Sequence, residues 1–277
     1  MNRLTHQSAV KLASISRRHV VQHVAAIALP AYDLLAQAPS QRPAAAILLA
    51  TRALPSYLRD QAAVLGDRLT KSGQEQIVQS GELRASTAVF PATASRQLPN
   101  RVRIELGGSK ARTLTFDGLD SRGSAALDDI DAELIESLTE DSVEGLLTEV
   151  STGASSRLLG TNFRPDPSKF PAYSGPSYTI VELSCVAKSR SSKDEQMKRF
   201  YFDSGSNLLL RTVYGKTVAG SIVMHETRFS DWKSVNGNPV PHRIEKLVQG
   251  QQRFVFSSLS ATLAPVAADA RFADVRP

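Results

Sequence analysis

From Tyr178 onward apolar and polar positions alternate with a period of two. The segments "YTIVELSCVAKS", "MKRFYFDS", "NLLLRTVYGK", "SIVMHETRFSDWKSV", "VPHRIEKLVQG" and "QRFVFSSLSATLA" are bounded by Gly, Asn, Ser or Pro turns, the pattern of strands joined by short connections. Six such strands in succession predict one antiparallel sheet. In "RFYFDSGSNLLLRTVY" the alternation puts Phe200 and Phe202 on one face of a strand and Leu208, Leu210 and Tyr214 on one face of the next. Strands paired through "DSGSN" would stack these aromatics on leucines. Ile222 and Met224 extend the apolar row, and Phe254 and Phe256 do the same on the last strand. Rows like these fill the core of any antiparallel sheet. Met and paired Phe side chains also suit an adaptable apolar pocket, so Phe200, Phe202, Leu208, Leu210, Ile222, Met224, Phe254 and Phe256 are the candidate lining of a ligand site.

The first half of the chain is less uniform. Leu58, Ala62, Leu65 and Leu69 recur at three or four residues and predict an amphipathic helix over 56–71, ended near Gly73. "EQIVQSGELRASTAVFPA", "NRVRIEL" and "ARTLTFDG" then turn toward period two and open a meander. Between Ser124 and Val150 stand nine acids and no basic residue, with Leu134, Ile135, Leu138, Val143, Leu146 and Leu147 at helical spacings. One helix or two short ones are expected, the second capped near Asp141 or Ser142. The acid run reads first as a solvated helix face and second as a site for a metal or a cationic partner. Four prolines between 163 and 178 define a loop.

Basic residues through "SISRRHV" precede the apolar "VVQHVAAIALPAYDLLAQA", which ends in the small-x-small triplet Ala36-Gln37-Ala38. This is the layout of a cleaved export signal over 1–38, and Arg17-Arg18 resembles a twin-arginine signal. The expected organisation is a signal at 1–38, a linker at 39–55 and a single domain at 56–277. The expected location is the periplasm or the outside of the cell. Neither early apolar patch reaches the roughly 20 residues that span a bilayer, and no cysteine follows the signal to carry a lipid anchor.

Charge narrows the function classes. The chain has 33 basic and 27 acidic residues; without the first 38 these become 29 and 26, too near balance to point to nucleic acid. Cys185 is the sole cysteine, so an intrachain disulfide, a cysteine-clustered zinc site and an iron–sulfur cluster are excluded. It sits in "IVELSCVA" and reads as a small core residue. Beyond the signal the histidines are His225 and His242, without HExxH or HxH spacing, and there is no GxSxG, P-loop or GxGxxG. No cofactor, no metal and no catalytic residue is expected. Asn236-Gly237 predicts a tight turn, and Trp232, the sole tryptophan, reads as a half-buried anchor.

The succession "RFYFDSGSNLLLRTVY", "ETRFSDWKSVNGNPVPHRIEKL" and "QQRFVFSSLSATLAPVAADARFA" resembles the C-terminal half of the bacterial lipoprotein-sorting carriers, the LolA/LolB-like group. The resemblance covers about 56–277 and is firmest after Tyr178. It implies an α+β fold: a strongly curved antiparallel sheet, or half-barrel, with helices packed on its concave face. It further implies a non-enzymatic carrier that holds a lipid acyl chain or other hydrophobic ligand between sheet and helices. The alternative function is an envelope interaction or sensor module that binds a protein partner with the same sheet.

Overall fold

The computed structural model describes residues 54–65, 74–98, 100–109, 111–118, 120–165, 175–186 and 195–266. The signal expected at 1–38, most of the 39–55 linker, the helix expected beyond Leu65, the middle of the proline loop, the Cys185 side chain and the tail lie outside them.

The strands are β1 (Glu75–Ala85), β2 (Ala88–Gln97), β3 (Arg101–Leu106), β4 (Arg112–Phe116), β5 (Ser121–Gly123), β6 (Ser155–Phe163), β7 (Tyr178–Val186), β8 (Glu195–Asp203), β9 (Leu209–Val218), β10 (Ser221–Val235), β11 (Asn238–Val248) and β12 (Gln251–Pro265). They form one antiparallel sheet in the order β5-β4-β3-β2-β1-β12-β11-β10-β9-β8-β7-β6. Two meanders, β1–β5 and β6–β12, are thus joined where β1 pairs with β12. The chain passes from edge β5 to edge β6 through helices α2 (Asp129–Leu138) and α3 (Val143–Ser151), and α1 (Ser56–Val64) precedes the sheet. Among the described residues the architecture is mostly β, with three short helices on a twelve-stranded sheet, where the sequence suggested a more even mixture.

Local chemistry explains most of these elements. Asp128 caps α2, accepting from the Asp131 backbone N–H at 2.8 Å, and Arg112 of β4 donates to Asp131 at 2.7 Å, tying the capped end to the sheet. Ser142 caps α3, as expected, by accepting from Gly145 N–H at 3.1 Å. Asn236 and Gly237 both take positive φ, 51° and 81°, in the β10–β11 turn. β6 was not foreseen: seven of its nine positions are exposed, so it lacks the alternation by which a half-buried strand is recognised.

The register of β8 and β9 departs from simple alternation. Tyr201 pairs with Arg211, but Phe202 pairs with Leu209, so Leu210 is the extra residue of a bulge. A one-residue insertion flips every side chain beyond it. Leu209, only 1% exposed, therefore turns inward with Thr212 and Tyr214, and Leu208 and Leu210 are half-buried to either side of it. The expectation that Leu208 and Leu210 carry the inward row is corrected accordingly.

Candidate functional site

The helix-covered face of the sheet has an apolar belt and an ionic end. Phe200, Phe202, Phe254 and Phe256 belong to the belt, none more than 1% exposed, together with Leu209, Phe229 and Ile244. The helices contribute Leu134, Ile135, Leu138, Val143, Leu146 and Leu147 to the same cluster, which runs from Leu114 of β4 to Leu183 of β7. Four of the eight residues expected to line a ligand site are thus brought together. Ile222 and Met224 are not: both lie on the opposite face of β10 from the inward His225 and Thr227, and are 68% and 43% exposed.

The belt meets the surface beside Trp232. A concavity of about 10 Å³ lies between Val64 and Leu65 at the end of α1, Val143 of α3, and Leu209, Phe229 and Trp232 of the sheet. A second of about 20 Å³ adjoins it, with Arg96, Ser142 and Glu144 as the shared wall. Each has room for about one water. Elsewhere in the belt the described apolar side chains of the helices pack against those of the sheet. Trp232 is half-buried, as expected, and its indole N–H is enclosed without a hydrogen-bond acceptor among the described residues.

At the ionic end, the acid run of α2 meets a set of lysines from the sheet. Asp141, fully buried at the α2–α3 corner, accepts from Lys198 Nζ of β8 at 2.9 Å through Oδ1 and from Lys246 Nζ of β11 at 2.9 Å through Oδ2. Thr227 Oγ1 of β10 donates to Oδ2 at 2.6 Å, and Thr212 Oγ1 of β9 donates to the Asp141 carbonyl at 2.7 Å. Lys246 also donates to Tyr214 Oη at 2.8 Å, Lys216 to Glu136 at 2.9 Å, and Lys198 reaches Glu136 and Glu140 at 3.5 and 3.4 Å. Tyr214 stacks on His225 with centroids 5.2 Å apart and rings 9° from parallel. Three lysines thus face three carboxylates, and the charges balance.

Burial alone would push the carboxyl groups of Glu136 and Asp141 up. The lysines outweigh it: Lys246, Lys198 and Lys216 hold Glu136 well below the ordinary value, and Lys198 and Lys246 hold Asp141 below it. Burial works against the Lys198 ammonium, but Asp141, Glu136 and Glu140 raise it well above its usual value. Tyr214 is pushed well up by burial and then by Asp141 and Glu136. His225 is lowered to about 4, by burial first and then by Lys216 and Lys246. Glu136, Asp141 and Lys198 are therefore ionised at pH 7, beside neutral Tyr214 and His225.

The expectation of a solvated acidic face is corrected by these contacts. Asp131 pairs with Arg112, Glu133 with Arg253, and Glu136 and Asp141 with the lysines. The cationic partner of the acid run is the chain's own sheet. The signal was present in the sequence, because Lys198 shares strand parity with Phe200 and Phe202, and Lys246 with Ile244. A lysine on an apolar row needs a buried acid opposite. Chemically, the cluster fastens α2 and α3 to four strands. Among the described residues His225 Nδ1 and His242 Nε2 are buried without partners, and His242 Nδ1 lies 3.1 Å from the Ser258 carbonyl. His225 and Glu226 point to opposite faces, Glu226 bonding Arg228 at 2.8 Å.

No family model matches the chain, and no curated protein matches it. Several solved structures are similar to it, among them three bacterial proteins. A LolA superfamily protein from Nitrosomonas europaea shares 12% identity over 74% of this chain and 91% of that one, with a TM-score of 0.47. A putative outer membrane lipoprotein-sorting protein domain from Vibrio parahaemolyticus shares 8% over 80% and 95%, at 0.49. A DUF1329 family protein from Desulfovibrio piger shares 13% over 83% and 96%, at 0.44. Among the described residues no helix is long and apolar enough to cross a membrane.

Proposed function

We propose that the chain is an exported, non-enzymatic carrier that holds a lipid acyl chain or another hydrophobic ligand between sheet and helices, and that the present form is its closed state. The observation that carries this reading is the continuous apolar belt that meets the surface beside Trp232. Helices of nine or ten residues are marginal on their own and depend on the face they cover, whereas the sheet is held by its ladders. The helices are therefore the removable layer, and an acyl chain can take the place of their apolar side chains. The enclosed Trp232 N–H at the mouth suits an ester or carboxyl oxygen, since an unsatisfied buried donor costs free energy. The sheet is not strongly curled, which departs from the half-barrel that the resemblance implies; α2 packs on both β4 and β11, and α3 packs on β7.

Trp232, as the sole tryptophan, makes the test direct. Titrating the purified full chain with fatty acids brominated along the chain should quench its fluorescence saturably, and mass spectrometry of an organic extract should recover a bound lipid. No quenching together with an empty extract overturns the proposal. A second reading, an envelope module that binds a protein partner, is favoured by the packed belt, and it fits a protein that never takes up the brominated probes.

A further inference from the structure

The β9–β10 hairpin leaves the sheet as a two-stranded ribbon. Pairing of β9 with β8 runs out at Lys198 and Tyr214, and pairing of β10 with β11 begins at His225 and Val248. Beyond that line, among the described residues, β9 and β10 pair with each other: Gly215 with Met224, whose carbonyl still accepts from the Gln249 backbone N–H at 2.8 Å, Lys216 with Val223, Thr217 with Ile222, and Val218 with Ser221. This ribbon is about 13 Å long at strand rise. Side-chain bonds from Gln196 to the Gly215 carbonyl and from Gln249 to the Ile222 carbonyl tie it back.

The ribbon is apolar on both faces. Ile222 and Met224 stand on one face, and Ile222 covers Gly215, where an added Cβ would come within 2.8 Å of its Cγ2. Val218 and Val223 stand on the other, in line with Tyr214 and His225. Val218 is 53% exposed and Ile222 68%. An isolated two-stranded ribbon gains little stability of its own, and exposed apolar clusters of this kind mark interaction sites. From Gly215 to Met224 there is one charge, Lys216, and no acid; the β11–β12 turn at the same end, Val248 to Arg253, also lacks acids and carries Arg253.

We infer that the ribbon docks the protein on a lipid surface. A flat protein surface covers one face of such a ribbon and leaves the other wet, whereas the boundary between headgroups and acyl chains covers both. Interfacial elements bury about 5–10 Å into that boundary, a depth the ribbon can supply. The two cations at this end are paired, Lys216 with Glu136 and Arg253 with Glu133, so insertion rests on the aliphatic side chains of the ribbon rather than on charge. The inference is independent of any ligand held under the helices.

The test is flotation of the full chain with vesicles of phosphatidylcholine, with and without phosphatidylglycerol. The wild-type chain floats with the vesicles at both compositions. The double substitution Val218→Ser and Ile222→Ser lowers the partition constant by about tenfold or more, as loss of two inserted aliphatic side chains requires. Both positions are exposed, so the urea midpoint stays unchanged. Equal flotation of the two proteins overturns the inference, as does failure of the wild type to float at either composition. A wild-type dimer in light scattering that the same substitutions dissociate, without flotation, assigns the ribbon to a second copy instead.

Discussion

Asp141 and Lys246 form an ion pair at 2.9 Å with both side chains wholly enclosed, and the pair spans 105 residues of sequence. It joins the α2–α3 corner to the middle of the sheet. Removing one partner of such a pair leaves an uncompensated buried charge. Asp141→Ala strips Lys198 and Lys246 of their nearest carboxylate together and should cost about 3–5 kcal/mol, read as a lower urea midpoint at unchanged m.

The same cluster sets the pH profile. His225 titrates at about 4 in the folded chain and at about 6.5 when unfolded. Between those values the unfolded chain binds the extra proton, so stability is complete above about pH 6.5 and falls as the pH drops to 4, by up to about 3 kcal/mol. Below about pH 4 the depressed Glu136 and Asp141 extend the loss. On the alkaline side, raised Lys198 and Tyr214 give stability that is present below their unfolded values, near 10, and is lost only as pH climbs through the folded ones. Urea unfolding at a series of pH values should show a plateau from about 7 to 10, and His225→Gln should flatten the limb between 6.5 and 4.

The corner itself requires glycine at 145. A Cβ there would lie 2.2 Å from the Thr139 carbonyl oxygen and 2.8 Å from Glu140 Cα. Both are backbone atoms and cannot swing aside. Gly145→Ala should therefore destabilise by roughly 2–4 kcal/mol, even though alanine is the better helix former. Thermal melting and the helical signal in circular dichroism, compared with an exposed Ala132→Gly control, separate the clash from propensity.

What could be read from sequence follows the range of the physics involved. The strands after Tyr178, the Asn236-Gly237 turn and the Ser142 cap rest on local alternation or local backbone chemistry. The candidate lining row did not survive intact, because the bulge at Leu210 inverts parity and no residue type announces it. Ile222 and Met224 obey the alternation, but on the outer face. The acid run was misjudged because its partners lie 19 to 120 residues away, on strands β4, β8, β9, β11 and β12. β6 was missed because an exposed edge strand has no buried face to print a pattern.

The bulge at Leu210 gives the sharpest test of the fold. Neighbouring leucines of identical chemistry occupy opposite situations: Leu209 is 1% exposed in the belt beside Phe229 and the Trp232 mouth, and Leu210 is half-buried outside it. Truncating a buried leucine loses its transfer energy and leaves a cavity. Leu209→Ala should cost about 2–4 kcal/mol, and Leu210→Ala less than about 1 kcal/mol. The cavity left at Leu209 adjoins the concavity beside Trp232, so that variant should also shift the tryptophan emission while Leu210→Ala leaves it unchanged. Equal costs at the two positions, or a larger one at Leu210, would restore the unbulged register and turn Leu208 and Leu210 back toward the helices.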